Sequence, residues 1–361
     1  MRVAVLGVGL IGGSIGLAAK RRLGAEVAGF DAREANAARG LEVGALDGTA
    51  ATIGDAVEGA EIVFCAGPVR ALPALVGAAL DASGPDTVVT DVGSTKRELI
   101  AGLSRTESLE RFTGGHPVAG AESAGVENAR DDLFEGARWY LTPTERTSGM
   151  LYDRLQRAIA DLGARPQAID AETHDRLMAA VSHLPHVIAN VLVRQAAAAA
   201  TEESERLPEV GPSFRDTTRV AGANPAIWGD IFATNSEAVA REIDVAAERL
   251  REAAEIIRSG DTGRVASWHG AAREDRRRLL EAGLIGGELF ELRLSVENRP
   301  GTVAEIALAL GRAGVNIEDM ALYPAPDMRT GAISLWVAGD AEARRAAEIV
   351  RGLGHAVSIS T

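Results

Sequence analysis

The chain has 361 residues, which exceeds the usual size of one domain and predicts two or three domains with their own cores. The 51 acidic and 38 basic side chains give a net charge of −13, which argues against a nucleic-acid or anionic-membrane partner because either needs a cationic face. No stretch approaches the roughly 20 uninterrupted apolar residues of a membrane span. The single cysteine, Cys65, excludes an intrachain disulfide and favours a reducing, cytoplasmic compartment.

The first half of the chain alternates β-rich apolar runs with helical patterns. The runs are RVAVLGV, EVAGFD, EIVFCAG, TVVTDVG, FTGGHPVAG and RWYLTP, bounded by Gly, Asp or Pro. This alternation predicts an α/β fold with β-α units around a mostly parallel sheet, a Rossmann-type domain that we assign to residues 1–170. The position of Cys65 within one of these runs indicates a buried structural thiol.

Two changes of composition divide the rest of the chain. From about residue 171 to 285, Ala, Glu and Arg dominate and apolar positions recur at helical spacing, so an all-helical domain is expected. Residues 288–361 follow a glycine-rich joint and show the order strand, helix, strand, strand, helix, strand. That order predicts a ferredoxin-like α+β domain.

A glycine motif lies between the first predicted strand and the first predicted helix. The segment GVGLIG places Gly7, Gly9 and Gly12 in G-x-G-x-x-G spacing. Gly7 permits a tight turn, Gly9 lets a pyrophosphate approach the backbone, and Gly12 allows close contact between helix and strand. Leu10 and Ile11 open the helix, whose first N–H groups are available to phosphate. The motif predicts a dinucleotide-binding site.

Asp31 closes the second predicted strand, about 20 residues after the glycines, where a carboxylate can accept from both ribose hydroxyls of a dinucleotide. A carboxylate here repels a ribose phosphate, so NAD is favoured over NADP, although Arg33 keeps NADP open. The alternative is a glycine-rich turn that binds no ligand, which the surrounding β-α-β pattern disfavours.

Two more polar segments follow predicted strands in this half. Ser94 in TDVGSTK can hydrogen-bond a substrate or ribose, and Lys96 can supply a cation at the cleft; alternatively both begin a helix with Ser94 as its cap. His116 in GGHPVAG has an imidazole, which accepts a proton near neutral pH. A lone loop histidine is more often structural, but the cofactor motif in the same half favours a catalytic role.

The helical half contains two histidines three residues apart. His183 and His186 share one face of a predicted helix, and Pro185 between them is expected to bend that helix toward the cleft. No third ligand of suitable type lies nearby, so we predict no metal site and interpret the pair as a polar lining beside an anionic ligand. His174 is expected on the helix surface.

Arg215 and Arg219 lie four residues apart and therefore on one helical face. Two guanidinium groups suit the recognition of a carboxylate, since each stays charged and donates in a bidentate geometry. Asp216 could hold one of these arginines in place, and the alternative is a solvated basic turn. Trp228 is expected in the core or in a dimer interface.

Five segments together resemble, in order and spacing, the prephenate and arogenate dehydrogenases of tyrosine biosynthesis. They are VLGVGLIGGSIGLAAK, DVGSTK, GGHPVAGAESAGVENARDDLFEGARWYLTP, HDRLMAAVSHLPHVIAN and SFRDTTRVAGANPAIWGDI. The likeness as a whole spans residues 1 to about 280. The tail, with ENRPGTVAEIALALGRAGVNIEDM, resembles an ACT domain, a small-molecule sensing module often attached to amino-acid biosynthetic enzymes.

The resemblance implies an NAD(P)-dependent oxidative decarboxylation of prephenate to 4-hydroxyphenylpyruvate. Carried over by motif, His116 accepts the proton of the ring hydroxyl, Ser94 is its neighbour in the site, and Arg219 binds the ring carboxylate. The residues expected at the substrate side chain and its surroundings are His186, Arg215 and His183.

The resemblance also implies a homodimer formed through the helical domain. In the tail, Asn298 and Asn316 would help to bind an amino-acid effector between paired modules, with tyrosine suggested by the logic of the pathway. A purely dimerising appendage is the alternative. The sequence departs from the family pattern at Pro212, Ser213 and Ala121, which leaves arogenate open as the substrate.

Two other functions compete with this interpretation. Dehydrogenases of β-hydroxyacids or imines share such domains, but they commonly rely on a lysine in the helical domain, and residues 174–190 contain none. A noncatalytic sensor of NAD and an amino acid is the alternative from a different class. The joint presence of His116, Ser94 and Arg219 disfavours the sensor.

Overall fold

The computed structural model describes residues 1–119, 125–203, 210–281, 289–297, 302–315, 317, 319–325 and 329–360. The chain forms two compact units, Met1–Glu248 and Arg249–Thr361. The first unit contains the glycine motif and every residue for which a catalytic, cofactor-binding or substrate-binding role is predicted.

Eight strands of the first unit form one sheet: β1 (Arg2–Leu6), β2 (Glu26–Phe30), β3 (Gly48–Thr49), β4 (Ile62–Cys65), β5 (Val88–Asp91), β6 (Phe112–Pro117), β7 (Arg138–Thr142) and β8 (Arg165–Ala168). Their order across the sheet is β3-β2-β1-β4-β5-β6-β7-β8. All neighbours are parallel except β6 and β7. The mostly parallel sheet is therefore confirmed, and its first six strands have the Rossmann order.

Helices cover both faces of this sheet: α1 (Leu10–Ala18, continuing as a π turn over Ala19–Leu23), α2 (Glu34–Glu42), α3 (Ile53–Val57), α4 (Leu72–Ala82), α5 (Arg97–Gly102) and α6 (Gly149–Asp161). Successive residues of β1 alternate between two apolar clusters, because side chains alternate along a strand. Val3 and Val5 belong to one cluster, and Ala4 and Leu6 belong to the other. The sheet is thus buried on both sides, as parallel sheets are.

The helical part of the first unit begins with α7 (Ala171–Met178), which passes through a π turn at Ala179–His183 into α8 (Leu184–Glu203). The proline at the second position of α8, Pro185, has no N–H to donate to the carbonyl of Val181. The π turn directly precedes this missing donor. Then come α9 (Pro212–Thr218), α10 (Pro225–Thr234) and α11 (Ser236–Arg258), and the boundary between the units falls inside α11.

By length and hydropathy alone, one described helical run, Ala171–Ala198, could cross a membrane. The core helix of a protein that folds in water passes the same test. His174 and Asp175 in this run are buried, and they form hydrogen bonds with His116 of β6 and with the N–H of Lys96. The first turns of this run therefore pack against the loop after β5 and against β6.

The second unit contains the end of α11, helix α12 (Thr262–Glu281) and a four-stranded antiparallel sheet. Its elements are β9 (Leu289–Glu297), α13 (Thr302–Arg312), β10 (Asp319–Pro324), β11 (Thr330–Ala338), α14 (Asp340–Gly352) and β12 (Ala356–Ser360). The sheet order is β10-β11-β9-β12, and its core includes Leu292, Ile306, Leu335 and Val350. The predicted order of strands and helices is present. Asn298 and Asn316 lie outside the described residues.

Candidate active site

The glycine motif forms a tight turn between β1 and α1. Gly7 has φ +103°, a conformation that favours glycine, and a Cβ there would collide with the backbone of Ala66. A Cβ on Gly12 would collide with the carbonyl oxygen of Gly7, whereas a Cβ on Gly9 would meet no atom within 4 Å. Helix α1 begins after Gly9 without a side-chain cap. Its first N–H groups are therefore available to a phosphate, and the turn fits a dinucleotide.

Asp31 stands at the end of β2 beside this turn. Its Oδ2 accepts a hydrogen bond from the N–H of Val8 at 2.7 Å, and its Oδ1 accepts from the N–H of Arg33 at 2.8 Å and from Asn36 Nδ2 at 3.1 Å. A carboxylate has about four lone-pair positions, so the three bonds fix its orientation and leave room for a further donor. This placement fits the ribose hydroxyls of NAD.

A wholly buried ion pair joins Asp91, the last residue of β5, to Lys96. Asp91 also accepts from the N–H of Gly93 at 2.7 Å and from the N–H of Gly115 at 3.0 Å. The expectation that Lys96 faces the cleft is therefore wrong. The charge of Lys96 neutralises the buried carboxylate of Asp91. Asp91 also joins β5 to β6 through the N–H of Gly115, the residue before His116.

Ser94 lies half-buried in the loop between β5 and α5. Because α5 begins at Arg97 and no side chain caps it, Ser94 is not a helix cap, and that alternative is wrong. Strands β5 and β6 are parallel neighbours, with Thr90 opposite Thr113. Ser94 and His116 therefore lie at the same edge of the sheet, where ligands of open α/β sheets bind.

His116 is half-buried at the end of β6, and its Nδ1 lies 2.9 Å from Nε2 of His174. His174 is wholly buried, and its Nδ1 lies 2.8 Å from Oδ1 of Asp175. The expectation that His174 lies on the helix surface is wrong, because Tyr140 of β7 and His116 of β6 lie against its ring. Burial, and next the proximity of His174, Lys96 and His183, which opposes a further positive charge, hold the pKa of His116 well below its usual range.

The other two predicted histidines are buried beside Trp228 of α10. The ring of His186 stacks on the indole, with centroids 3.6 Å apart and planes 8° from parallel, and His183 meets the indole edge-on at 6.0 Å. Burial lowers the pKa of His183 to about 4 and also lowers the pKa of His186. Nδ1 of His186 is buried and has no hydrogen-bond partner among the described residues. An orphaned polar atom of this kind suits a polar ligand.

One polar contact ties the helical part to the loop after β5, and two more join helices within that part. Thr95, next to Ser94, shares a buried hydrogen bond of 2.9 Å with Thr234 at the end of α10. Asn235 Nδ2 donates to the backbone carbonyl of Asp175 at 2.7 Å and lies 3.3 Å from Nδ1 of His183. The first contact holds α10 against the loop after β5, and the other two hold the residue after α10 against α7 and the π turn.

The two predicted arginines lie in the middle of α9 and directly after its end. Arg215 is within the helix, and Arg219 begins the short 3-10 turn Arg219–Gly222 that follows it. Both side chains are exposed. Helix α9 and this turn pack against α8, which carries His186. Binding of a substrate carboxylate by either arginine stays a prediction.

Among the described residues, no group of three or more His, Cys, Asp or Glu side chains is placed to hold a metal ion. Cys65 is wholly buried in β4, and burial together with the charge of Asp91 raises the pKa of its thiol well above the usual range. A thiol of this kind is a poor nucleophile, so Cys65 is structural as expected.

Sequence reasoning missed Asp175 and Asn235 as residues of the site. The adjacent pair His174–Asp175 in ETHDRLM is a local signal, because two ionisable residues of opposite charge are neighbours in an otherwise amphipathic helix. Asn235, between α10 and α11, carries no sequence signal of its own. Its role depends on contacts with residues some 50 to 60 positions earlier in the chain.

Two family models match the chain in succession. The model for the nucleotide-binding domain of prephenate dehydrogenase matches residues 15–168, and the model for its dimerization domain matches residues 170–270. A prephenate dehydrogenase from Bacillus subtilis is 29% identical over 358 residues, covering 96% of this chain and 95% of that relative.

Solved structures give a similar result. Prephenate dehydrogenase from Aquifex aeolicus, solved with hydroxyphenyl propionate and NAD+, is 30% identical with a TM-score of 0.72, covering 77% of this chain and 98% of that one. Synechocystis arogenate dehydrogenase is 25% identical with a TM-score of 0.67, covering 77% of this chain and all of that one. With family models across more than half of its length, this chain belongs to the prephenate dehydrogenase family.

Proposed function

We propose that this protein is an NAD-dependent prephenate dehydrogenase, which converts prephenate to 4-hydroxyphenylpyruvate and carbon dioxide in tyrosine biosynthesis. The observation that carries the proposal is the imidazole of His116 at the end of β6. It lies at the ligand-binding edge of the sheet, is hydrogen-bonded to a buried histidine, and has a depressed pKa. Such an imidazole is unprotonated at neutral pH and is ready to accept a proton.

The turn and Asp31 would hold the dinucleotide. The N–H groups that open α1, at Leu10 and Ile11, would bind its pyrophosphate, and Asp31 would accept from the ribose hydroxyls. Asp31 would repel a ribose phosphate, so NAD is the proposed cofactor rather than NADP. When bound, NAD+ supplies the acceptor for the hydride that leaves the hydroxyl-bearing ring carbon.

The protein's own residues have to align the substrate and move one proton. His116 takes the proton of the ring hydroxyl as the C–H bond breaks, with Ser94 as a second hydrogen-bond partner of that oxygen. The bond between ring and carboxylate then breaks, carbon dioxide leaves, and the released electron pair makes the ring aromatic. The proton returns to the phenol oxygen. Aromatisation supplies the driving force, so alignment is the main task of the site.

Cations and polar groups from the helical part would bind the two acidic ends of prephenate. Arg219 would bind the ring carboxylate in a bidentate, charge-assisted geometry. The residues proposed at the pyruvyl side chain are His186, Arg215 and His183. The buried and unpartnered Nδ1 of His186 supports this assignment, because a ligand oxygen or a bridging water would satisfy it.

Initial rates of nicotinamide reduction test the proposal and its rivals. The purified protein is given prephenate or arogenate, each with NAD or NADP. We expect the highest kcat/KM with prephenate and NAD, with 4-hydroxyphenylpyruvate as the product by chromatography. A higher kcat/KM with arogenate would make this an arogenate dehydrogenase. NAD binding by calorimetry without any reduction would instead favour the noncatalytic sensor.

We also propose a homodimer that forms through the helical part. Apolar side chains of this part are exposed, among them Val191 of α8 at 52%, Ile227 of α10 at 52% and Val245 of α11 at 43%. Large exposed apolar groups on neighbouring helices are typical of an interface. We expect the dimeric mass by light scattering, and a monomer at all concentrations would contradict it. The proposed domains are residues 1–170, 171–285 and 288–361.

The C-terminal part is proposed to be an ACT domain with a tyrosine site, and the whole protein to be cytoplasmic. The strand and helix order and the small antiparallel sheet support the first assignment, and the buried thiol of Cys65 is compatible with the second. Tyrosine titration by calorimetry, combined with rates at millimolar tyrosine, tests the effector. No binding and no change in rate would exclude it.

A further inference from the structure

We propose that His174 and Asp175 are positioning residues that fix the tautomer of His116, so that its Nε2 is left as the proton acceptor. The inference rests on the proposed dehydrogenase function, because it gives His116 its acceptor role. The three residues form a continuous chain of hydrogen bonds, Asp175 to His174 at 2.8 Å and His174 to His116 at 2.9 Å.

The direction of these bonds follows from the acceptor at one end of the chain. An ionised carboxylate only accepts, so Asp175 Oδ1 must receive the proton carried on Nδ1 of His174. A neutral imidazole has one N–H, and Nε2 of His174 is then an acceptor. It receives the N–H of Nδ1 of His116, which leaves Nε2 of His116 unprotonated.

Asp175 is itself held in place by the loop and helix that follow β5. Its Oδ1 also accepts from the N–H of Lys96 at 2.8 Å, and its Oδ2 accepts from the N–H of Arg97 at 2.9 Å. Both oxygens of this buried carboxylate therefore accept hydrogen bonds, and the three donors fix its plane. The orientation of Asp175 is therefore set by the backbone rather than by a flexible side chain.

The ring of His174 is enclosed on its other sides. It meets the ring of Tyr140 of β7 edge-on at 5.5 Å and the ring of His116 edge-on at 5.1 Å. The ionisable groups that face it are His116, Tyr140, Asp175 and His183. A wholly buried ring in this setting cannot turn over to exchange its two nitrogens without breaking both hydrogen bonds.

The arrangement has a direct consequence for the reaction. When His116 takes the substrate proton on Nε2, its Nδ1–H still donates to His174, so the new imidazolium keeps a hydrogen-bonded partner. If Nδ1 lacked this acceptor, the proton of His116 could move to Nε2, and the ring would present a donor to the substrate hydroxyl. Orienting groups behind an active histidine act in this way in other enzymes.

Two variants of His174 separate a positioning role from a packing role. His174→Phe keeps an aromatic ring but removes the acceptor, and we expect kcat to fall by about 10- to 100-fold with KM for prephenate within about threefold. His174→Gln can still accept the Nδ1–H through its amide oxygen, so it should recover a substantial part of kcat. His269→Phe, on the exposed surface of α12, is the matched control and should keep wild-type rates.

A second measurement does not depend on activity. Nitrogen NMR of histidine-labelled protein reports which ring nitrogen carries the proton, and the signals of His116 are assigned by their loss in His116→Asn. We expect the Nδ1–H tautomer in the wild type and its loss in His174→Phe. Wild-type His116 protonated at Nε2, or a folded His174→Phe with kcat unchanged, would overturn the proposal. If the wild type shows this tautomer yet reduces no NAD, the proposed dehydrogenase function is wrong, while the positioning of His116 by His174 and Asp175 is supported.

Discussion

The imidazole of His186 lies parallel to the indole of Trp228, with their centroids 3.6 Å apart, and its Nδ1 is buried without a partner among the described residues. Trp228 therefore fixes the plane of the ring that is proposed to contact the substrate side chain. Trp228→Leu should raise KM for prephenate about 2- to 10-fold with a smaller effect on kcat, because a stacked aromatic pair contributes about 0.5–1.5 kcal/mol. Trp228→Phe keeps a stacking surface and should lie near the wild type in steady-state kinetics.

His116→Asn removes the proton acceptor and keeps a side chain of similar size. We expect kcat to fall by about 100-fold or more, the scale of a lost general base, while KM for prephenate changes little. In the wild type, the depressed pKa of His116 keeps its ring unprotonated as the pH falls through 6.5. The acid limb of kcat/KM should therefore lie below pH 6.5. Wild-type turnover in the variant would contradict the role of His116 as the proton acceptor.

Arg219→Ala removes the guanidinium proposed to bind the ring carboxylate. Because a hydrogen bond to a charged group contributes about 1.5–3 kcal/mol, KM for prephenate should rise by about tenfold or more, with a smaller change in kcat. Arg219→Lys keeps the charge without the bidentate geometry and should be intermediate. An unchanged KM in Arg219→Ala would show that Arg219 does not bind the ring carboxylate of prephenate.

Lys96→Met leaves the carboxylate of Asp91 buried without its cation. Breaking a buried pair in this way typically destabilises a protein by about 3–5 kcal/mol, measurable as a loss in the free energy of unfolding by urea. Arg97→Met is the matched control, because the only ion pair of the Arg97 side chain with a described residue is an exposed one with Glu237. That variant should lose no more than about 1 kcal/mol. Equal stability of the two variants would contradict a structural role for the buried pair.

His183 makes the fold sensitive to acid. Its pKa is about 4 in the folded protein and 6.5 ordinarily. Between these pH values the unfolded chain binds a proton at His183 and the folded chain does not. The free energy of unfolding should therefore be highest above pH 6.5 and should fall as the pH drops toward 4, by about 3 kcal/mol for this group. Urea unfolding of wild type and His183→Gln across this range tests the claim. Parallel curves for the two proteins would show that His183 is not responsible.

The chain alone predicts most of the sheet but not its edges. Six runs with buried apolar residues became β1, β2, β4, β5, β6 and β7. Strand β3 has only two residues, and β8, Arg165–Ala168, is mostly exposed at the sheet edge. Neither carries the apolar signal on which strand prediction depends.

In the site, too, sequence motifs predict the positions of some residues, whereas the neighbours of others depend on tertiary packing. The glycine turn and Asp31 follow strands and His116 lies near the end of one, as the sequence motifs predict. The surroundings of His174 and Lys96 are set by residues of other elements, β6 for one and β5 for the other. Helical periodicity gives the face on which a side chain lies, but the neighbour that covers that face comes from tertiary packing.

The π turn at Ala179–His183 acts as an angular offset within one continuous helix. In an unbroken α-helix, the nine residues from His174 to His183 would turn through about 900°, which leaves them on opposite sides. One extra residue in the π turn rotates everything beyond it back by about 100°. Asn235 can then reach both the Asp175 carbonyl and His183. A change that converted this turn to regular α-helix with no residue deleted would rotate the later histidines by about 100° relative to the earlier one, whereas deletion of one residue together with that conversion would keep their phase.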